Sequence, residues 1–246
     1  MLSKVKAKYI KSLQVKKYRK QEQSFVVEGE KGVTELLRSD FTTTTVCATK
    51  DFLARHGKSI RGGQVEVIEV IPSDLAAIGS VETNDSVLAV ARMKANNRPV
   101  IAAGEYALVL DDIRDPGNLG TIIRTGDWYG IKHVIASEET ADFYNPKVIR
   151  STMGSFCRVN MFYTSLSEFL KDVKVPVYGA FLDGDDIHRM KFGSGGMIVI
   201  GNESNGISND IEKYVTKKVT IPRFGNAESL NASIAAAIVL DNVRRA

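Results

Sequence analysis

The sequence predicts an α/β protein in two parts: a C-terminal unit on a mostly parallel sheet, and a small N-terminal α/β unit. Two observations predict it. From about residue 104, apolar runs of strand length alternate with stretches of helical period. Such alternation yields parallel strands with helices on both faces. Ahead of it, the first hundred residues hold their own short strands and helices, closed by Asn96-Asn97-Arg98-Pro99, a linker signature. The expected boundaries are residues 1–92 for the first unit, 93–104 for the linker and 105–246 for the second.

In the first unit, Lys4 to Arg19 reads as one basic helix and Ser24-Phe25-Val26-Val27-Glu28 as a short strand. Gly32 to Leu37 is helical, with Val33, Leu36 and Leu37 on one side. Thr42 to Ala48 is β-branched and strand-like. Gln64 to Val70 alternates polar and apolar residues, the pattern of a half-buried strand. Ser73-Asp74 sits before Leu75 to Ile78 as a cap, and Val87 to Ala91 is a further strand.

In the second unit, Tyr106 to Leu110 is an apolar strand. Asn118 to Tyr129 is a helix with Leu119, Ile122, Ile123 and Trp128 as its apolar positions. Ile131 to Ala136 is a strand, and Pro146 to Met153 a helix opened by proline. Strands follow at Val159 to Tyr163, Val175 to Leu182, Met197 to Ile200 and Lys218 to Ile221. Helices lie between them at Leu166 to Val173, capped by Ser165, and at Ile207 to Tyr214. Ser229 to Val243 is a long final helix, with Ser229 as its cap.

Charge is unevenly placed. The net charge is +4. Residues 1–100 carry 17 basic against 11 acidic side chains, and residues 101–246 carry 16 against 18. The first twenty residues hold eight basic side chains and no acid. Lys16, Lys17, Arg19 and Lys20 are the densest part. A polyanion partner suits this end, against the plainer reading of a solvated helix face. Cys47 and Cys157 have no CxxC spacing, and His56, His133 and His188 are isolated, so neither a disulfide framework nor a metal site is expected. The longest apolar run, Ala232 to Leu240, is too short to span a bilayer, and no secretory signal opens the chain. A cytoplasmic protein is the expectation.

Three polar loops each adjoin an apolar strand. The first runs through Asp115-Pro116-Gly117-Asn118-Leu119-Gly120 at a strand's carboxyl end, where open α/β sheets hold ligands. Arg124 follows amid Ile122 and Ile123, where a guanidinium must snorkel out or face a cleft. The second is Gly201-Asn202-Glu203-Ser204-Asn205-Gly206 after a buried strand. Glu203 there is either an ion-pair partner or a functional acid. In the third, Ile221-Pro222 ends a strand and Ser229-Leu230-Asn231 opens the last helix. Asparagine is a poor helix former within a first turn.

These residues resemble the SpoU (TrmH) family of RNA ribose 2′-O-methyltransferases of the SPOUT superfamily. The likeness rests on Asn-x-Gly-x-x-x-Arg at Asn118, Gly120 and Arg124, on Gly-x-Glu-x-x-Gly at Gly201, Glu203 and Gly206, and on Ile-Pro…Ser-Leu-Asn at Ile221, Pro222, Ser229, Leu230 and Asn231. It covers residues 105–243. A weaker likeness at Arg150 to Ser155 carries no assigned role. Phe25-Val26-Val27-Glu28-Gly29 is similar to the family's L30e-like substrate-binding domain.

The resemblance implies an α/β trefoil knot, a homodimer with its active site at the dimer interface, and S-adenosylmethionine as methyl donor held at Gly201, Ile221 and Leu230. It implies catalytic roles for Asn118, Arg124, Glu203, Ser229 and Asn231. The G-x-G-x-x-G fingerprint of common nucleotide sheets is absent, which fits an unusual cofactor pocket. Arginine stays protonated, so Arg124 is expected to stabilise the incipient alkoxide and clamp a phosphate. Asn118 would orient the ribose or Arg124, and Glu203 would hold Arg124 or take the proton through water. RNA is the implied partner, ribosomal rather than transfer RNA by family frequency. The rival readings are a tRNA ribose methyltransferase, a non-catalytic RNA-binding protein, and an unrelated enzyme of phosphorylated metabolites. The last lacks a GxxxxGK[ST] phosphate loop.

Overall fold

The computed structural model describes residues 2–60, 65–80 and 83–245. Its contacts divide the chain into two compact units. One comprises residues 1–95 together with 142–158; the other comprises residues 96–141 and 159–246.

In the first unit, helices α1 (Lys4–Ser12) and α2 (Lys16–Glu22) replace the single expected basic helix. The break falls where Leu13 turns inward and is fully buried, and Val15 is extended. Strand β1 (Ser24–Glu28) follows, then α3 (Glu30–Leu37), β2 (Thr43–Ala48), α4 (Lys50–His56), β3 (Glu66–Glu69), α5 (Pro72–Ile78) and β4 (Val87–Arg92). Helix α4 has no counterpart in the expectation. The expected start of β3 at Gln64 lies outside the described residues. Asp74 lies inside α5 and reaches back to the Ile71 amide (3.3 Å), rather than standing ahead of the helix. The sheet order is β1-β4-β2-β3, antiparallel except for the β2–β3 pair. Val26, Cys47, Leu88 and Val90 form one core with Ile10 of α1, Leu13 just after it, and Leu75 and Ile78 of α5.

On β1, Phe25 packs against Phe41 (ring centroids 5.4 Å apart) and also against Tyr144 (4.7 Å) and Phe156 (6.1 Å). The last two belong to the 142–158 stretch. Its helix, α7 (Pro146–Ser151), is capped by Asn145, which accepts from the Lys147 amide at 2.8 Å.

The second unit holds β5 (Tyr106–Leu110), α6 (Pro116–Trp128), β6 (His133–Ala136), β7 (Asn160–Tyr163), α8 (Leu166–Lys171), β8 (Val177–Asp186), β9 (Gly196–Ile200), α9 (Asn209–Glu212), β10 (Lys217–Thr220) and α10 (Ala232–Arg245). Its sheet runs β10-β8-β9-β5-β6-β7, with every pairing parallel. The central strands are buried on both faces, as parallel strands are. Ala107, Val109 and Val199 pack against Leu166, Phe169 and Leu170 of α8 and Ile211 of α9. The alternate residues of those strands point the other way, on the side where α6 and α10 pack together. Gly126 lets α6 approach closely, since a Cβ there would stand 3.3 Å from Leu108. Trp128, expected among the apolar positions of α6, is 83% exposed. It lies at the helix end, turned away from the Ile122 and Ile123 stripe.

Candidate active site

Helix α6 starts two residues earlier than the sequence suggests, and this frees a side chain. Asp115 is the cap, accepting from the Asn118 amide at 2.8 Å, and Pro116 takes the first helical position. Asn118 is therefore not the cap, and its side chain is available for other work. The Asp-Pro pair is the signal that sequence reading passed over.

The Asn118 amide bridges the other two loops. Its Nδ2 donates to Glu203 Oε1 at 2.7 Å, and its Oδ1 accepts from Asn231 Nδ2 at 2.9 Å. A carboxylate only accepts, so this neighbourhood fixes which end of the Asn118 amide faces which partner. Glu203 lies in the turn after β9, and Asn231 immediately before α10. The Asn231 carbonyl accepts from the Ala235 amide at 2.9 Å. Its Oδ1 accepts from the Ser233 amide (2.9 Å) and the Ser233 hydroxyl (2.6 Å). Asn231 is thus the cap of α10, not a first-turn residue, and Ser229 is not the cap. Ser229 is exposed, in the loop ahead of the helix.

A cavity of about 710 Å³ adjoins this cluster. Gly201, Ile221 and Leu230, the residues expected to hold a cofactor, all line it, as do Glu203 and Ser229. Gly201 is obligatory: a Cβ would stand 2.2 Å from the Gly206 carbonyl carbon. Ile221 and Leu230 provide an apolar wall, and the polar turn after β9 faces it.

Arg124 does not join the cluster. It sits further along α6, is exposed, and makes no hydrogen bond or ion pair among the described residues. Glu203 is held against Asn118 and not against Arg124.

In the first unit, Lys16, Lys17 and Lys20 are exposed on α2. Arg19, grouped with them on sequence, is only 2% exposed. Its guanidinium donates to the Leu13 and Gln14 carbonyls at 2.9 and 2.8 Å and pairs with Asp142 at 2.7 Å. It closes the C-terminal end of α1 and leaves no donor surface for a phosphate. An RNA-binding role for Arg19 is overturned.

Comparison with known proteins extends the likeness over both units. The model of the SpoU rRNA Methylase family matches residues 105–241, and that of the MRM3-like substrate binding domain matches residues 4–89. The 23S rRNA (guanosine(2553)-2′-O)-methyltransferase RlmP of Bacillus subtilis is 30% identical, over 97% of this chain and 96% of its own. Among solved structures, a Porphyromonas gingivalis protein assigned to the TrmH family of RNA methyltransferases is 36% identical. It superposes with a TM-score of 0.91 over 100% of both chains. An AdoMet-bound rRNA methyltransferase from Sinorhizobium meliloti is 28% identical, with a TM-score of 0.87 over 100% of this chain and 97% of that one. The matched span from residue 105 to 241 and the end-to-end likeness to RlmP make this chain a member of the SpoU rRNA methylase family, an RNA methyltransferase.

Proposed function

We propose that this chain methylates a ribose 2′-hydroxyl of large-subunit ribosomal RNA, with S-adenosylmethionine as donor. The observation that carries the reading is the Asn118–Glu203–Asn231 cluster set beside a cavity lined by Gly201, Ile221 and Leu230. That cavity suits the donor chemically. Ile221 and Leu230 offer a wall for a planar base, and the carboxylates of Glu203 and Glu228 in the same lining suit a cation. When bound, S-adenosylmethionine supplies an electrophilic methyl on a sulfonium. The relatives RlmP and RlmB are named as 23S rRNA 2′-O-methyltransferases, which favours ribosomal over transfer RNA.

A ribose hydroxyl is a weak nucleophile at neutral pH, so the protein must stabilise charge as it develops. Arg124 is the group suited to this. A planar fork of donors faces an incipient alkoxide and the adjacent phosphate together. Asn118 orients the ribose, Glu203 and Asn231 hold Asn118, and Ser229 lies on the rim. Within one chain Arg124 stands apart from the other three, so we infer that a homodimer completes the site. Each copy lends Arg124 to the other's cluster. Exposed Trp128 on α6 and half-exposed Ile234 on α10 give those two packed helices an apolar outer surface suited to a second copy. Residues 1–92 grip the RNA, with Lys16, Lys17 and Lys20 on its phosphates. Among the described residues no helix is long and apolar enough to cross a membrane, and the reaction belongs where ribosomal RNA is, in the cytoplasm.

Methyl transfer to ribosomal RNA, with the modified position mapped as a 2′-O-methyl, tests the reading. A deoxyribose substitution at the target should abolish transfer. Arg124→Lys, which keeps the charge and loses the fork, should cost on the order of 10²–10³ in rate. Near-normal turnover would remove the bidentate role. Mixing inactive Arg124→Ala with inactive Asn118→Ala chains should restore activity through mixed dimers, because one composite site is then intact. A mixture that stays dead would place both residues in one chain's site.

A further inference from the structure

Asn202 is the most heavily bonded side chain of the turn that carries Glu203, and no step above uses it. Its backbone closes the turn in both directions. The Asn202 amide donates to the Gly206 carbonyl at 3.0 Å, and the Gly206 amide donates back at 2.9 Å. Its side-chain Oδ1 accepts from the Ser204 and Asn205 amides at 2.9 and 3.1 Å. Its Nδ2 leaves the turn altogether. It donates to the Asp112 carbonyl at 2.8 Å, with the Asp112 carboxylate at 3.4 Å. Donors on one side and acceptors on the other settle which end of the amide is which.

Asp112 is itself tightly held. It follows β5, the neighbour of β9 in the sheet. Its φ of +59° is left-handed, a conformation uncommon outside glycine and held here by its surroundings. The enforcement is visible. The Asp112 amide donates to Ser137 Oγ at 3.0 Å, and its Oδ1 accepts from Arg114 Nε at 2.8 Å. Next to it, the buried Asp111 carboxylate accepts from the Ser208 amide at 2.7 Å. The ends of β5 and β9 are thus pinned at two points, on either side of the residue that meets Asn118.

We propose that Asn202 is a positioning residue for catalysis. It anchors the turn after β9 to the strained Asp112 and so sets the Glu203 carboxylate against Asn118. This rests on the reading of Asn118 and Glu203 as parts of the catalytic machinery. Asn202 also lines the cavity, but its side-chain bonds go to the turn and to Asp112, so its positioning action runs through Glu203. The span available for error is small, because a misplacement of about an ångström costs on the order of 10²-fold in rate.

Asn202→Asp is the discriminating variant. It keeps the acceptor for the Ser204 and Asn205 amides but turns a carboxylate toward the Asp112 oxygens. Turnover should fall by about tenfold or more, with donor affinity by calorimetry changed less than about threefold. Combined with Glu203→Ala, which removes the acceptor for Asn118, it should add no further loss, because both changes break the same link. Asn202→Ser loses the Asp112 anchor without adding charge and serves if the aspartate variant does not fold. Wild-type turnover in Asn202→Asp or Asn202→Ser, or losses that multiply in the double variant, would overturn the positioning role while leaving the function intact. Full activity in Glu203→Ala would instead remove the catalytic reading of the cluster, and the proposal with it.

Discussion

Asn231 serves two purposes with one amide. Its oxygen caps α10 and its nitrogen holds Asn118. Asn231→Asp separates them, since aspartate caps a helix as well as asparagine does. Thermal unfolding should stay near wild type while turnover falls. Equal loss of both would show that the cap is the whole role. The two cysteines take the opposite part. Burial pushes the thiol of Cys47 up to about 11 and that of Cys157 up to about 12. Thiolate is the reactive form, so iodoacetamide at pH 8 should leave both unmodified in the folded protein, as mass spectrometry would record. Rapid labelling of either would contradict the burial. At this scale the sequence announced the polar loops but not their bonds. Asn118, Glu203 and Asn231 were legible as unusual residues beside strands. That Asp115 caps α6 and frees Asn118 decides their geometry, and it turns on a two-residue difference in where the helix starts. Arg124 was legible as an arginine among isoleucines, but its free position on α6 depends on packing that no local pattern records.

Helices α1 and α2 show how far charge density misleads at the level of elements. Lysines of one run face solvent while the arginine among them is buried against Asp142, a residue 123 positions away. No periodicity reports so distant a partner. The two kinds of basic residue should separate cleanly on mutation. Lys16, Lys17 and Lys20 together changed to alanine should leave unfolding unchanged, weaken RNA binding and flatten its salt dependence. Arg19→Ala strands the largely buried Asp142 carboxylate and should cost on the order of 3–5 kcal/mol of stability. A calorimetric scan with RNA titrations at two salt concentrations distinguishes these outcomes. Helices α3 and α4 are joined through Glu30, which accepts from Arg55 (2.6 and 2.9 Å) and meets His56 (2.9 Å). Arg55 and then His56 hold the Glu30 carboxyl below its ordinary value of 4.5. A depressed carboxyl pKa means stability that is present above the unfolded value and lost as pH falls through the folded one. The first unit should therefore weaken below about pH 4.5, modestly because the pair is exposed and screened. Glu30→Gln should flatten that acid limb of the unfolding curve, and an unchanged limb would assign it to other groups.

For the molecule as a whole, the strand and helix alternation after residue 104 was plain in the sequence, and the parallel sheet follows from it. What the sequence concealed is that the two units do not partition the chain at a single linker. Residues 142–158 lie between β6 and β7 of the second unit, yet their rings complete the core around Phe25 in the first. Hydrophobic pattern identifies Tyr144 and Phe156 as apolar but says nothing of whose core they fill. A fragment of residues 1–95 would leave Phe25 without two of its neighbours. It should bind a hydrophobic dye and lose near-ultraviolet dichroism, and a rigid fragment with native dichroism would refute the dependence. The same interleaving dictates an order of events during synthesis. Domains ordinarily fold from the amino end as each leaves the ribosome. Here the leading domain must wait, incomplete, until the stretch ending at residue 158 has emerged, by which time the opening segment of its successor, residues 96–141, already hangs outside the tunnel.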